Sequence, residues 1–373
     1  MAYNWQNPDW PRFRFDITDV LDELTVFERH VGRVSGVLDA LPEGTQAEIL
    51  VDLMVSEAIK TSEIEGEYLS RADVKSSIRR NLGLTEEAVA KDARAIGIAE
   101  LMVAVRRDFA APMTATMLFD WHRMLMRGNA RITAGAWRAH AEPMQVVSGP
   151  IGRETVHYEA PPSAAVPAMM DAFIDWFNAT GPQGERPIRQ APVRSALAHL
   201  YFETVHPFED GNGRIGRAIS EKALSQGLGR PVLLSLSKAI EADRDAYYDA
   251  LNFAQRTNEV SGWLKYFLPV CITAQKDAEA EVTFTLQKVK YFDAFRDSFN
   301  DRQLRVIRRM LEEGPKGFEG GMSAGKYGSI AKTSKPTATR DLQSLVDLGA
   351  MVVTGGGRST RYWLPFSVGA DIP

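Results

Sequence analysis

Apolar residues recur at three- and four-residue intervals along most of the chain, the period of an α-helix with one covered face. After Trp5-Gln6-Asn7-Pro8-Asp9-Trp10-Pro11 and the alternating Phe13 and Phe15, one stripe runs through Leu21, Leu24, Val31, Val34 and Leu38. The tryptophans read as packing anchors. A second stripe joins Ala47, Ile49, Leu50, Leu53, Met54 and Ala58, and Gly66 reads as the C-terminal stop of that helix. Ala196, Leu197, Leu200, Tyr201 and Phe202 predict a further helix, which Pro207 ends, leaving His206 at a turn. Helix is expected to restart near Arg214, with Ala218, Ile219 and Leu224 on its buried side. Between Ala134 and Pro162 the period changes. There two β-prone runs, residues 144–148 and 154–158, flank Gly149-Pro150-Ile151-Gly152 and read as a hairpin. A polar helix over residues 275–296 leads to a last segment.

The pattern predicts a mainly α chain in three parts: residues 1–84, 85–274 and 285–373. A length of 373 residues exceeds that of a usual single domain and agrees with two or three units. Charged residues at 25% and hydrophobic ones at 45% are ordinary globular values, and a net charge of −4 argues against a globally basic nucleic-acid coat. The single cysteine, Cys271, excludes an internal disulfide and a thiol-rich zinc site; its neighbours Phe267, Leu268, Val270 and Ile272 suggest that it is buried. Met1-Ala2-Tyr3-Asn4-Trp5 has neither a charged n-region nor an apolar core, and no apolar run reaches spanning length, so the cytoplasm is expected and no membrane partner.

The chemistry concentrates in His206-Pro207-Phe208-Glu209-Asp210-Gly211-Asn212-Gly213-Arg214-Ile215-Gly216-Arg217. Histidine is the side chain best suited to accept a proton near neutral pH. Gly211 and Gly213 permit positive φ and close backbone approach, and a glycine turn feeding a helix N-terminus gathers free N–H groups where an anion binds. Asp210 is a hard oxygen ligand of the kind that takes Mg²⁺ together with a substrate's phosphates. Arg214 and Arg217, three apart, share a helix face and suit phosphate oxygens. Taken singly, these would be a structural histidine, a surface turn and two solvated arginines. Their conjunction at fixed spacing is equipment for handling a nucleotide's phosphates.

This run resembles the His-Pro-Phe-x-Asp/Glu-Gly-Asn-Gly-Arg-x-x-Arg signature of the Fic (filamentation induced by cAMP) domain and meets it at every fixed position. The resemblance implies a Fic-type helical catalytic domain that moves AMP from ATP to a hydroxyl of a target protein. It makes His206 the general base and Asp210 the Mg²⁺ ligand. Gly211, Asn212 and Gly213 become the anion hole, with Arg214 on the β-phosphate and Arg217 on the γ-phosphate. Relatives that phosphorylate their targets carry Lys near Gly213, so glycine there favours the adenylylating pose of ATP. Thr61-Ser62-Glu63-Ile64-Glu65-Gly66 resembles the Ser/Thr-x-x-x-Glu-Gly/Asn inhibitory motif, which implies that Glu65 pairs with Arg217 and fills the γ-phosphate's room. The hairpin, with Gly135-Ala136-Trp137-Arg138 ahead of it, is similar in position to the Fic flap that holds a target segment by strand addition. Arg244 to Leu251 resembles the Tyr-Tyr helix of the adenine pocket; Tyr248 is the expected contact, Tyr247 a core residue, and Gln255 stands where some relatives have Asn. The opening of the chain is similar to the N-terminal helical domain of one bacterial Fic subfamily.

The last segment looks like a winged helix. Leu304, Ile307, Met310 and Leu311 form one helix face, residues 327–332 a second helix and 336–348 a third, with strands at 351–353 and 362–364 around Gly355-Gly356-Gly357-Arg358. Lys326, Lys332, Lys335, Arg340, Arg358 and Arg361 face only Asp341 and Asp347, a local charge of +4 that would suit DNA phosphates. Packing or protein interaction is the other reading of such a module. The expected partners are thus ATP, a protein target along the flap, DNA through the winged helix, and a homodimer left open. Two alternatives stand beside the transferase: a DNA-binding regulator whose Fic domain senses nucleotide, and a de-AMPylating enzyme in which Glu65 positions a water. The intact His206, Asp210 and Arg217 favour the transferase, because a sensor has little need of a base.

Overall fold

The computed structural model describes residues 3–85, 90–148 and 155–366. The chain divides into two compact units, residues 1–34 with 50–278, and residues 35–49 with 279–373. In chain order the helices are α1 (Leu21–Asp39), α2 (Glu43–Ile64), α3 (Arg71–Asn81), α4 (Ala93–Arg107) and α5 (Ala115–Leu125). The hairpin β1 (Gln145–Ser148) and β2 (Thr155–Glu159) follows. Then come α6 (Val166–Ala179), α7 (Ala191–Val205), α8 (Asn212–Leu228), α9 (Leu236–Glu241), α10 (Arg244–Ala254) and α11 (Ser261–Phe295). The chain ends with α12 (Asp301–Leu311), α13 (Ala324–Ala331), α14 (Lys335–Asp347), β3 (Val352–Thr354) and β4 (Arg361–Trp363). The fold is mainly helical, as expected. The unit limits fall inside α1, α2 and α11.

In the first unit α7 is the central element, and all of its residues are buried. A helix covered all round needs no amphipathic stripe. Ala198, Tyr201, Phe202 and Val205 belong to one core, with residues of α2 to α6 and α8. Ala191, Val193, Ala196, Leu197 and Leu200 belong to a second, with α1, α10 and α11. Polar N-caps start several helices: Ser70 accepts from the Asp73 amide, Thr114 from Met117 and Asp243 from Ala246. Trp10 packs edge-on against Phe13 and Tyr201, and the Trp5 indole donates to the Glu159 carbonyl (3.0 Å), so both tryptophans anchor packing.

β1 and β2 pair antiparallel, Gln145 opposite Glu159 and Ser148 opposite Thr155, with a register shift between Val146 and Val147. The expected turn Gly149-Pro150-Ile151-Gly152 lies outside the described residues. Three local expectations differ from the structure. Leu21 is 49% exposed, and Phe27, 1% exposed, carries the α1 contact instead, because Leu21 sits at the first position of the helix. α8 begins at Asn212 and not at Arg214, since Gly211 at φ +81° already serves as its N-cap. The polar helix expected from Gln275 is continuous from Ser261; its first half hid the helical period because Trp263, Leu264, Phe267, Leu268 and Cys271 are all buried.

In the second unit α12, α13 and α14 pack around Val306, Ile307, Met310, Tyr327, Leu342 and Leu345, followed by the antiparallel pair β3–β4. Asp341, buried within α14, accepts from Arg302 through both oxygens (2.9 and 3.0 Å) and from the Tyr327 hydroxyl (3.0 Å). These bonds hold its carboxyl below the usual range, with Arg302 the main cause. Among the described residues, no helix is long and apolar enough to cross a membrane.

Candidate active site

α7 ends at His206, which adopts φ +49°, ψ +60°, a left-handed conformation that costs a non-glycine residue energy and has to be held by its surroundings. Arg138 holds it. This 2% exposed guanidinium donates from Nε to the His206 carbonyl (2.8 Å) and from Nη2 to the carbonyls of Val205 (3.3 Å) and Pro161 (2.5 Å). Its own amide donates to the Pro207 carbonyl (2.9 Å). Burial draws the Arg138 pKa down to about 10. Phe208 is buried and stacks on His122 at 4.0 Å.

The loop after Phe208 is tied by Asn212, whose Oδ1 accepts from the Phe208 amide (2.9 Å) while its Nδ2 donates to the Phe208 carbonyl (2.8 Å). The Asn212 side chain is therefore committed to shaping the loop. α8 has no side-chain cap, so the amides of its first turn are the donors that intrahelical bonding leaves over. Asp210 accepts from the Gly211 amide (2.5 Å) and lies 3.5 Å from Arg214 Nη2, its side chain about half exposed.

A cavity of about 910 Å³ opens over this turn. Its lining includes His206, Asp210, Gly211, Asn212 and Gly213 from the signature, Glu65 and Gly66 from the end of α2, and Met144 to Val147 from β1. Tyr247, Tyr248, Asn252 and Gln255 line it from the α10 side. Eight of the ten expected site residues thus meet around one space. Arg214 and Arg217 do not line it; they lie behind it, 3% and 1% exposed. Gln255 is buried and its amide donates to the Glu203 carbonyl (3.1 Å). Asn252, on the same helix as Tyr248 and one turn beyond it, escaped the sequence reading although its spacing from Tyr248 placed it on that face.

Both arginines are engaged by carboxylates from the turn after α2. Arg217 Nη2 donates to Glu65 Oε1 (2.8 Å) and to the Thr61 carbonyl (2.9 Å), and its Nε donates to the Thr61 hydroxyl (2.7 Å). Its Nη1 has no hydrogen-bond partner among the described residues. Burial opposes the Arg217 charge, but Glu65, Tyr247 and Glu203 outweigh it and hold the guanidinium above its ordinary pKa. Arg214 Nη1 pairs with Glu67 Oε2 at 2.7 Å. Glu67 lies one residue past the Thr61-to-Gly66 motif, so the motif itself does not mark it. Gly213 packs directly against Glu65: a Cβ there would lie 2.2 Å from Glu65 Oε1, so the carboxylate would have to shift.

Glu203 was also missed, although it precedes His206 by one helical turn. It is 4% exposed, with Oε2 3.6 Å from His206 Nδ1. Burial alone would raise its pKa, but His206, His199 and Arg217 lower it further, so the carboxylate stays ionised. Tyr247 is a core residue, 1% exposed, whose hydroxyl meets His199 Nε2 at 2.8 Å.

Fold and site together define a Fic-type helical domain. Residues 112–224 match the Fic/DOC family, and the chain carries a domain of that family; residues 3–84 match a domain of unknown function (DUF4172). The protein adenylyltransferase Fic of Nematostella vectensis is 24% identical over 195 residues, 51% of this chain and 41% of that protein. Its namesake from Culex quinquefasciatus is 25% identical over 201 residues, 51% of this chain and 35% of that protein. The matched stretch therefore spans well under half the length of either relative. Among solved structures, a Fic family protein from Desulfovibrio desulfuricans G20 superposes with a TM-score of 0.56 at 20% identity, over 95% of this chain and 98% of the other. That likeness extends the shared fold across nearly the whole chain.

Proposed function

We propose that this chain is a cytoplasmic protein adenylyltransferase, which moves AMP from ATP to a hydroxyl of a target protein and is held silent by Glu65. The observation that carries the reading is the convergence of His206, the 210–213 turn and Glu65 on one cavity, with Glu65 bonded to Arg217. In this reading the target hydroxyl gives its proton to His206 while its oxygen bonds to the α-phosphorus. The bond from that phosphorus to the β-phosphate's bridging oxygen breaks, and pyrophosphate leaves. The first-turn amides of α8 hold the phosphate oxygens, Arg214 and Arg217 take the β- and γ-phosphates, and Tyr248 and Gln255 border the base. Such a transfer needs positioning and charge neutralisation more than covalent help. The relatives named protein adenylyltransferase Fic support the reaction class.

Asp210 fits Mg²⁺: it is a half-exposed carboxylate on the cavity wall, and Mg²⁺ uses one or two carboxylates with phosphates and water. Among the described residues, no group of three His, Cys, Asp or Glu side chains would hold a metal. When bound, it would offset phosphate charge. The flap would take an extended target segment along β1–β2, where Val147 and Val156 are exposed.

We read the three-part division into residues 1–84, 85–274 and 285–373 as inhibitory, catalytic and winged-helix-like. Two observations keep the alternatives in view. Glu65 and His206 share the cavity, as water-directed de-AMPylation requires. Lys335 and Arg340 are exposed on α14, as a DNA-reading third helix requires, although Lys326 is spent on the carbonyls of Glu319 and Gly321. The Arg358 side chain lies outside the description. The DNA reading stands or falls on a salt-sensitive mobility shift with duplex.

The test of the main reading is His206→Ala beside wild type, both in the Glu65→Gly background. Transfer of labelled AMP should fall by roughly 10²- to 10⁴-fold while calorimetry shows ATP still bound. Equal transfer rates would remove His206 from the base role.

A further inference from the structure

We infer that Glu203 is a positioning residue for His206, holding the proton on Nδ1 so that Nε2 is the nitrogen offered to the cavity; this rests on the transferase reading above. Glu203 is 4% exposed, and its Oε1 has no hydrogen-bond partner among the described residues. An ionised carboxylate in such a place is costly unless it faces cations or donors.

The neighbours fit that need. Glu203 and His206 occupy the same face of the last turn of α7, three residues apart. The left-handed backbone of His206, pinned by Arg138, turns the ring back over that turn, so Nδ1 stands 3.6 Å from Glu203 Oε2. This is just beyond hydrogen-bond length, as is common before substrate binds. The two residues both line the cavity. Gly216 makes room for the carboxylate: a Cβ there would lie 2.2 Å from Glu203 Oε1. Around the pair stand His199 on α7, Arg217 on α8, Tyr247 and Tyr248 on α10, Tyr158 on β2 and Glu65 after α2. Burial keeps His199 neutral, and Arg217 is a fixed cation beside Glu203.

Two roles follow for the carboxylate. It accepts the Nδ1 proton, which selects the tautomer with a free Nε2 lone pair. When Nε2 takes the hydroxyl proton, the ring becomes imidazolium and Glu203 stabilises its charge without itself being protonated; carboxylate–histidine pairs in hydrolases work in this way. The competing reading is that Glu203 only counters the buried Arg217.

Glu203→Gln separates them. In the Glu65→Gly background, kcat for AMP transfer should drop by roughly 10²-fold or more with the KM for ATP within about twofold, because the base and not the nucleotide site is impaired. Glu203→Asp should restore part of the rate. A counter-ion for Arg217 alone predicts the opposite split, with KM raised and kcat little changed, and that result overturns the inference. ¹⁵N NMR of the wild-type His206 ring supplies a readout independent of turnover and of whether the variant folds. A proton on Nδ1 at neutral pH supports the inference, and a proton on Nε2 sinks it. If Glu65→Gly transfers no AMP while the ring still carries its proton on Nδ1, the transferase reading fails and the pairing survives.

Discussion

Replacing Glu65 by glycine removes the carboxylate bonded to Arg217. The bond is short (2.8 Å) and its arginine end is 1% exposed on the side chain, but the Glu65 side chain keeps 30% exposure. A charge-assisted hydrogen bond in such a setting is worth about 1.5–3 kcal/mol. If ATP must displace Glu65 to reach the productive pose, losing that bond should raise transfer roughly tenfold to 150-fold, since about 1.4 kcal/mol is a factor of ten. Arg217 does not swing free, because Thr61 still accepts from Nε and Nη2. Its charge does lose its main partner. The variant should therefore melt below wild type without nucleotide, and ATP with Mg²⁺ should raise its melting temperature more than that of wild type, because phosphate oxygens replace the carboxylate. Labelled-AMP transfer and paired melts with and without ATP read both effects. Arg217→Ala breaks the same pair without activation, because the phosphate clamp goes with it. A Glu65→Gly protein no more active than wild type, with equal ATP protection, would falsify the inhibitory reading.

The pairing of Arg214 with Glu67 predicts a second, smaller latch. Glu67→Gln should tighten ATP binding by roughly three- to tenfold in a calorimetric titration while transfer stays low behind Glu65; unchanged affinity would mark a surface pair of little worth. A pH effect arises at Glu221, which does not line the cavity, where burial and then the charge of Glu57 push the carboxyl up to about 8 against the opposing pull of Arg106. A carboxyl raised in the folded state is fully compatible with folding below its unfolded value near 4.5 and costs stability as pH climbs through 8, so the unfolding free energy should decline across that window. Because Glu221 is not fully buried, the slope should stay below about 1.4 kcal/mol per pH unit. Glu221→Gln should flatten the decline in urea melts, and an identical slope in both proteins would refute the assignment.

What the sequence determined by itself was local and short in range. Helical period, Pro207 and the glycines marked where α7 stops and where a phosphate-sized turn follows. The spacing from His206 to Arg217 named a chemistry, since those side chains are neighbours along one turn and one helix face whatever surrounds them. The Thr61-to-Gly66 motif, nearly 150 residues upstream, was legible only through its likeness to an inhibitory motif; nothing in its own periodicity points to Arg217. The tertiary structure decided the rest. It set Glu65 and Thr61 on one arginine and Glu67 on the other, a pairing that depends on how α2 packs against α8 and that no local propensity encodes. It withdrew the side chain of Asn212 into the loop and that of Gln255 onto the Glu203 carbonyl, because buried amides must find partners wherever the fold supplies them. It also concealed Glu203 from a reading by residue type. A glutamate inside an apolar helix carries no sign of what it faces until His206 adopts a left-handed backbone and turns its ring toward it.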